Sequence, residues 1–205
     1  MKSILDDLFF SIYRYLGFGV VFGAVTMLAL PEIKRQGITV LWRFLNRLKK
    51  NASYRWKFIF FIYLFMILSR TLICRNIWLC PWDNVIGEWG IYTSEGQFNA
   101  EGLLNILLFA PLTLFGLLGF HLYIERKYDI DSKKIVSSIL KYSLLFSSAI
   151  ELGQLFLRLG TFQLSDIAQN TFGGIIGAIL YIVIQKLKKA MVIFRDERKR
   201  KNRSH

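Results

Sequence analysis

At 205 residues and 54% hydrophobic, with a mean hydropathy of +0.38, the chain is too apolar for an ordinary soluble domain, yet it carries 27 Lys and Arg and a formal net charge of +13. The charges are bunched, and the intervals between them are long enough to cross a bilayer, which takes about 20 apolar residues. A separate soluble domain is excluded, and the fold class is an all-α integral membrane bundle of about five helices.

The spans fall at about 8–30, 58–74, 102–124, 135–157 and 169–185. The first follows Asp6 and Asp7 rather than a basic start and is long for a signal-peptide core, so it reads as a retained helix. After it comes ITVLWRFLNRLKK (38–50), with Ile38, Leu41, Trp42, Leu45 and Leu48 at helical spacing and Arg43, Arg47 and Lys50 elsewhere. That pattern predicts an amphipathic helix on the inner membrane surface, or a helix that binds a partner. The second span can extend to Leu79, past Arg75. Cys74 and Cys80 at its end could form an external disulfide or stay independent thiols.

The connection 75–101 contains CPWDNVIGEWGIYTSEGQF, with Trp78, Trp82 and Trp89, Pro81, and the acids Asp83, Glu88 and Glu95. Tryptophans at a membrane edge sit in the head-group belt. This segment is either an interfacial cap or a lid over a polar pocket. In the third span Pro111 removes one backbone hydrogen bond and predicts a kink.

Lys and Arg counts set the orientation. Segment 31–57 holds eight (Lys34, Arg35, Arg43, Arg47, Lys49, Lys50, Arg55, Lys57) and 75–101 holds Arg75 alone. Segment 125–134 holds four, 158–168 holds one, and 186–205 holds nine. The order high, low, high, low, high predicts five helices with the N-terminus outside and the C-terminus inside. The tail KLKKAMVIFRDERKRKNRSH then anchors on anionic lipid head groups, and the net charge needs no nucleic acid.

Two stripes stand out within the last two spans. Ser143, Ser147, Glu151, Gln154 and Arg158 are spaced 4, 4, 3 and 4 apart; Asp166, Asn170, Gly173 and Gly177 are spaced 4, 3 and 4 apart. On a helix each set falls within roughly an 80° arc. A carboxylate inside an apolar span is costly and faces other helices or a water-filled cavity, so Glu151 marks the candidate site. Arg14, Arg70, Glu101, Asn105, Glu151, Gln154, Arg158, Asp166 and Asn170 all fall toward the outer side of the predicted topology; Lys141 and His121 lie inward. The same residues could instead fasten helices together, with Arg14 or Arg70 neutralising Glu151. Gly173/Gly177 and Gly19/Gly23 form GxxxG pairs, expected to be close-packing faces.

GxSxG, HExxH, Walker A, paired CxxC and dinucleotide motifs are missing, and His121 and His205 are the sole histidines. A zinc site of the usual kind lacks ligands, and neither a metal nor a cofactor is expected. No catalytic residue can be named.

These residues carry a resemblance. NILLFAPLTLFG (105–116) and IELGQLFLRLGTFQLSDIAQNTFGGIIG (150–177) resemble the VanZ-like family of small bacterial membrane proteins. Asn105, Phe109, Pro111, Glu151, Gln154, Asp166, Asn170, Gly173 and Gly177 fall on the family pattern, and the resemblance covers roughly 58–185. Many members have an Arg in the turn and an acidic pair before the Asn. Here Gly160 stands at the Arg position, Gln163 and Ser165 replace the acids, and Arg158 lies two residues earlier. The namesake is linked to resistance to glycopeptide antibiotics such as teicoplanin, so the resemblance implies a multi-pass protein of the bacterial cell membrane with a role at the envelope.

The chain thus divides into an N-terminal helix with its basic segment (1–57), a VanZ-like membrane domain (58–185) and a basic cytoplasmic tail (186–205). The leading expectation is an outward-facing pocket between spans three and five. Glu151 is its central acid, Gln154, Asn105 and Asn170 orient that acid by hydrogen bonds, and Asp166 and Arg158 stand at the mouth above an unknown envelope ligand. Rival readings are an enzyme using Glu151 and Asp166 as acid and base on a lipid or cell-wall precursor, a proton-coupled transporter, and a structural partner. A transporter from a chain this small, without an inverted repeat, would need an oligomer.

Overall fold

The computed structural model describes residues 2–30, 39–73, 77–90, 92, 100–120, 124–126 and 129–202, and their side chains except at 2–12, 39, 100, 124–126, 129, 130, 200 and 201. His121, His205, Cys74, Arg75 and Glu95 lie outside the described residues. In order the elements are α1 (Lys2–Ala29), α2 (Thr39–Lys50), α3 (Ala52–Leu68) with a π-helical turn at Ser69–Ile73, α4 (Ala100–Phe120), β1 (Ile124–Arg126), β2 (Asp129–Ile130), α5 (Ser132–Leu157) and α6 (Leu164–Lys201). The two short strands pair antiparallel as the link between α4 and α5.

Four helical segments are long and apolar enough to cross a membrane: Ala52–Ile73, Glu101–Phe120, Ser132–Leu157 and Leu164–Lys199. Tyr13–Ala29 of α1 adds a shorter apolar stretch. The architecture is therefore the all-α membrane bundle expected. Phe18, Val21, Val25, Leu145, Phe156 and Phe172 stay exposed, a distribution suited to a hydrocarbon solvent rather than water.

Helix ends follow local capping chemistry more closely than the apolar windows do. Asn51 breaks the chain between α2 and α3, and its Oδ1 accepts the Tyr54 N–H at 3.2 Å. As a result α3 begins six residues before the predicted span. Asp131 caps α5 in the same way, accepting from the Lys134 N–H at 3.0 Å. Helix α4 runs continuously through Pro111. Helix α6 runs 38 residues into the basic tail, about 57 Å at 1.5 Å per residue. That is nearly twice the roughly 30 Å hydrocarbon layer.

The bundle is arranged around α6, which packs between α4 and α5; α3 packs on α4, and α1 and α2 pack on α3. Small residues set these approaches. A Cβ at Gly173 would strike the Ile106 carbonyl oxygen, and one at Gly177 would strike that of Ala110. The α4–α6 backbones are thus in direct contact, as expected for small-xxx-small packing. Gly119 plays the same part between α4 and α3, where a Cβ would lie 2.8 Å from the Lys57 nitrogen. A cluster of Ile67, Phe109, Leu112 and Ile150 adjoins Glu151, and two more apolar clusters lie nearer the basic segments. One gathers Leu117, Ile135, Ile139, Ala178 and Tyr181, and another joins α1–α3 through Met27, Phe44 and Tyr54. In α2, Phe44 is buried while Leu41, Trp42 and Leu45 remain exposed beside Arg47, Lys49 and Lys50. The buried polar side chains gather mainly at the other end, around the α5–α6 turn.

Candidate functional site

Residues of the α5 stripe turn inward together: Ser143, Ser147, Glu151 and Gln154 are all buried, with Glu151 only 2% exposed. Arg158, the last of the stripe, is exposed. On α6, Asn170, Gly173 and Gly177 are buried and Asp166 is half-buried. The two stripes face one another. The Asn170 Nδ2 donates to the Ser147 Oγ at 2.9 Å, and a Cβ at Gly174 would overlap the Ser143 hydroxyl.

Glu151 is held by the turn that joins the two helices. Its Oε2 accepts the Gln163 backbone N–H at 2.9 Å, a donor that has no helical partner. Gln154 reaches the other way, and its Nε2 donates to the Thr71 carbonyl on the π-turn at 3.0 Å. Asn105 on α4 donates to the Gln169 Oε1 at 3.3 Å, and the Gln169 Nε2 donates to the Glu88 carbonyl at 3.0 Å. Gly102 makes room for this bridge, since a Cβ there would lie 2.7 Å from the Gln169 Nε2. The amides of Gln154, Asn105 and Asn170 therefore stand in the same layer as Glu151, and these bonds tie that layer to the π-turn, to Gln169 and to Ser147. Arg14 is exposed on α1, and Arg70 is half-buried on the π-turn, which meets α5.

Residues 77–90 lie over this layer. The Phe162 N–H donates to the Pro81 carbonyl at 3.0 Å, the Leu164 N–H to Val85 at 2.9 Å, and the Ser165 N–H to Ile86 at 3.3 Å. The last two are first-turn donors of α6, which otherwise lack partners. The loop thus serves as the α6 N-terminal cap. Trp82 packs on Phe162 with ring centroids 6.3 Å apart. Gly87 sits at φ +70, and a Cβ there would overlap the Ser165 side chain, so a left-handed backbone and a close approach coincide at one residue. This tryptophan-rich segment is seated on the turn that contacts Glu151, and Trp78, Trp82 and Trp89 remain exposed on its outer side.

Gln169 and Thr71 were not singled out by sequence, and Gln163 and Ser165 entered only as departures from the family pattern. Gln169 had a signal, because it lies three residues after Asp166 and four before Gly173, on the flank of the stripe. Gln163 reaches Glu151 through its backbone N–H, for which side-chain spacing carries no signal, while its side-chain amide donates to the Thr161 hydroxyl at 2.8 Å. Chemically the layer offers one buried carboxylate, four amide side chains (Gln154, Gln163, Gln169, Asn170) with a fifth in Asn105, and hydroxyls at Ser147 and Ser165. It is suited to hydrogen bonding a polar ligand or holding a proton. Among the described residues, no three of His, Cys, Asp or Glu come together in a metal-binding group.

No curated protein and no solved structure matches the chain. The sequence model of the VanZ/LLP1 family matches residues 30–185, taking in the amphipathic α2 as well as the four helices from α3 to α6. On that match, which covers most of the chain, the protein belongs to the VanZ/LLP1 family.

Proposed function

We propose that this VanZ/LLP1 protein works at the bacterial cell envelope through the polar layer around Glu151, which faces outward and takes an envelope-derived or antibiotic-related ligand. In doing so it lowers susceptibility to glycopeptides of the teicoplanin type. The observation that carries the reading is the Glu151 carboxylate, 2% exposed inside a membrane-length helix. Apolar packing alone does not require such a group, and bilayers penalise it. The outward direction rests on the alternation of Lys and Arg between successive connections. The amides of Gln154, Asn105 and Asn170 supply ligand donors and acceptors at the depth of the acid, with Asp166 and Arg158 nearer the surface. Ligand entry requires the 77–90 segment to lift from the α5–α6 turn. The basic α2 and the α6 tail hold the opposite face on anionic lipid.

In a teicoplanin-sensitive Gram-positive host, with membrane levels matched by immunoblot, the wild type is expected to raise the inhibitory concentration above empty vector. Glu151→Gln should return it to the vector level. Equal protection by the variant would remove the pocket from the account. No protection by the wild type would detach this chain from glycopeptides.

One observation favours a second reading. The Glu151–Gln163 hydrogen bond fastens the α5–α6 turn, so the acid could serve the fold and the protein could act as a structural membrane partner. Under that reading, Glu151→Gln and Glu151→Ala alter folding or assembly without a separate functional loss.

A further inference from the structure

A second feature lies at the same end of the bundle, outside the Glu151 layer. A cleft of about 410 Å³ opens between the 77–82 segment and the end of α5, lined by Leu79, Pro81, Trp82, Leu155, Phe156 and Arg158. Arg158 is the one non-glycine among the described residues with a positive φ (55, with ψ 42). Its backbone is fixed from both sides. The Arg158 N–H donates to the Leu155 carbonyl at 3.2 Å, the Leu159 N–H returns to Gln154 at 2.8 Å, and the Arg158 carbonyl accepts from the Trp78 N–H at 2.6 Å. This helix-ending position is one that glycine ordinarily fills, because a side chain there is strained. A strained residue held by its surroundings is a pointer to function.

The side chain retained there is a guanidinium, and no described side chain pairs with it. It stands at the end of an apolar membrane-length helix, beside an exposed indole and two exposed apolar side chains, Leu79 and Phe156. Trp82 marks the depth of the head-group belt. A guanidinium binds phosphate with two parallel hydrogen bonds. Leu155 and Phe156 supply an apolar wall continuous with the helix below. We propose that this cleft binds the phosphate of a membrane lipid, with Arg158 on the headgroup and the Leu155–Phe156 face along the chain. Arg158 is the residue placed above at the mouth of the Glu151 layer; the cleft gives it a ligand of its own, and binding there requires no role for Glu151.

The test uses the full chain purified in dodecyl maltoside, with thermal unfolding followed as probes are added. The probes are dioctanoyl phosphatidylglycerol, dioctanoylglycerol (the same chains without phosphate) and inorganic phosphate. A ligand that binds the folded state raises the unfolding temperature. Dioctanoyl phosphatidylglycerol is expected to raise it saturably, and the other two probes to leave it unchanged. Arg158→Gly should bind the lipid about tenfold more weakly or worse. Without lipid it should unfold at the wild-type temperature or above, because glycine fits the left-handed position. Equal stabilisation of wild type and Arg158→Gly by the lipid would overturn the site, as would no effect of the lipid on the wild type. An equal response to dioctanoylglycerol would show a purely apolar groove and overturn the phosphate. An equal response to inorganic phosphate would show an anion site indifferent to lipid and overturn the lipid assignment.

Discussion

Gly173→Leu is expected to prevent the purified protein from folding into a stable bundle, lowering stability by about 3 kcal/mol or more. Even a Cβ at this residue would overlap the Ile106 carbonyl and lie 2.9 Å from the Ile106 Cα. A backbone carbonyl cannot rotate aside as a side chain can, so α4 and α6 would have to separate. That separation also opens the Ala110 contact at Gly177 and the Asn105–Gln169 bridge. Gly17 supplies the control, because a Cβ there meets nothing within 4 Å. Gly17→Leu is expected to change stability by no more than about 0.5 kcal/mol. Thermal unfolding in detergent, read beside size-exclusion profiles, checks both. Similar behaviour of the two variants would show that the α4–α6 contact is not what holds the bundle.

The second large effect separates the charge of Glu151 from its hydrogen bond. Glu151→Ala leaves the Gln163 N–H without its acceptor beside a buried cavity, and is expected to lose about 1–3 kcal/mol from that group alone. Glu151→Gln keeps an oxygen at the same reach and should lose less than about 1 kcal/mol. If function depends on the carboxylate, both variants lose glycopeptide protection although only the alanine variant is strongly destabilised. Protection that instead follows stability, kept by Gln and lost by Ala, assigns the residue to the fold. The measurement is the unfolding temperature of each variant set against its inhibitory concentration at matched expression.

Much of this arrangement was legible in sequence because membrane proteins declare themselves through regular periods. The 4, 4, 3, 4 and 4, 3, 4 spacings placed Ser143 to Gln154 and Asn170 to Gly177 on single faces, and those faces are buried against each other. Helix limits were less legible because caps decide them. Asn51 and Asp131 start α3 and α5 upstream of the apolar windows. Helix α6 continues to Lys201 because Lys, Arg, Ala, Met and Glu all sustain a helix after hydrophobicity ends. The partners of the candidate site were the least legible. One partner of Glu151 is a backbone N–H of Gln163, and the bonds from Leu164 and Ser165 to the 77–90 segment join carbonyls and amides that every residue possesses. The Gly87 position could be recognised once Ser165 was known to lie against it, but nothing local in the sequence announces that approach.

The outward direction of the polar layer is the claim on which the functional reading turns, and labelling in living cells tests it most directly. In a background with Cys74 and Cys80 replaced by serine, Asp83→Cys and Lys199→Cys each place one thiol at an exposed position, on the 77–90 segment and on the distal part of α6. A membrane-impermeant maleimide applied to intact cells should label Asp83→Cys at once and Lys199→Cys only after lysis. The reverse pattern would put the Glu151 layer on the cytoplasmic side and contradict a role at the outer envelope.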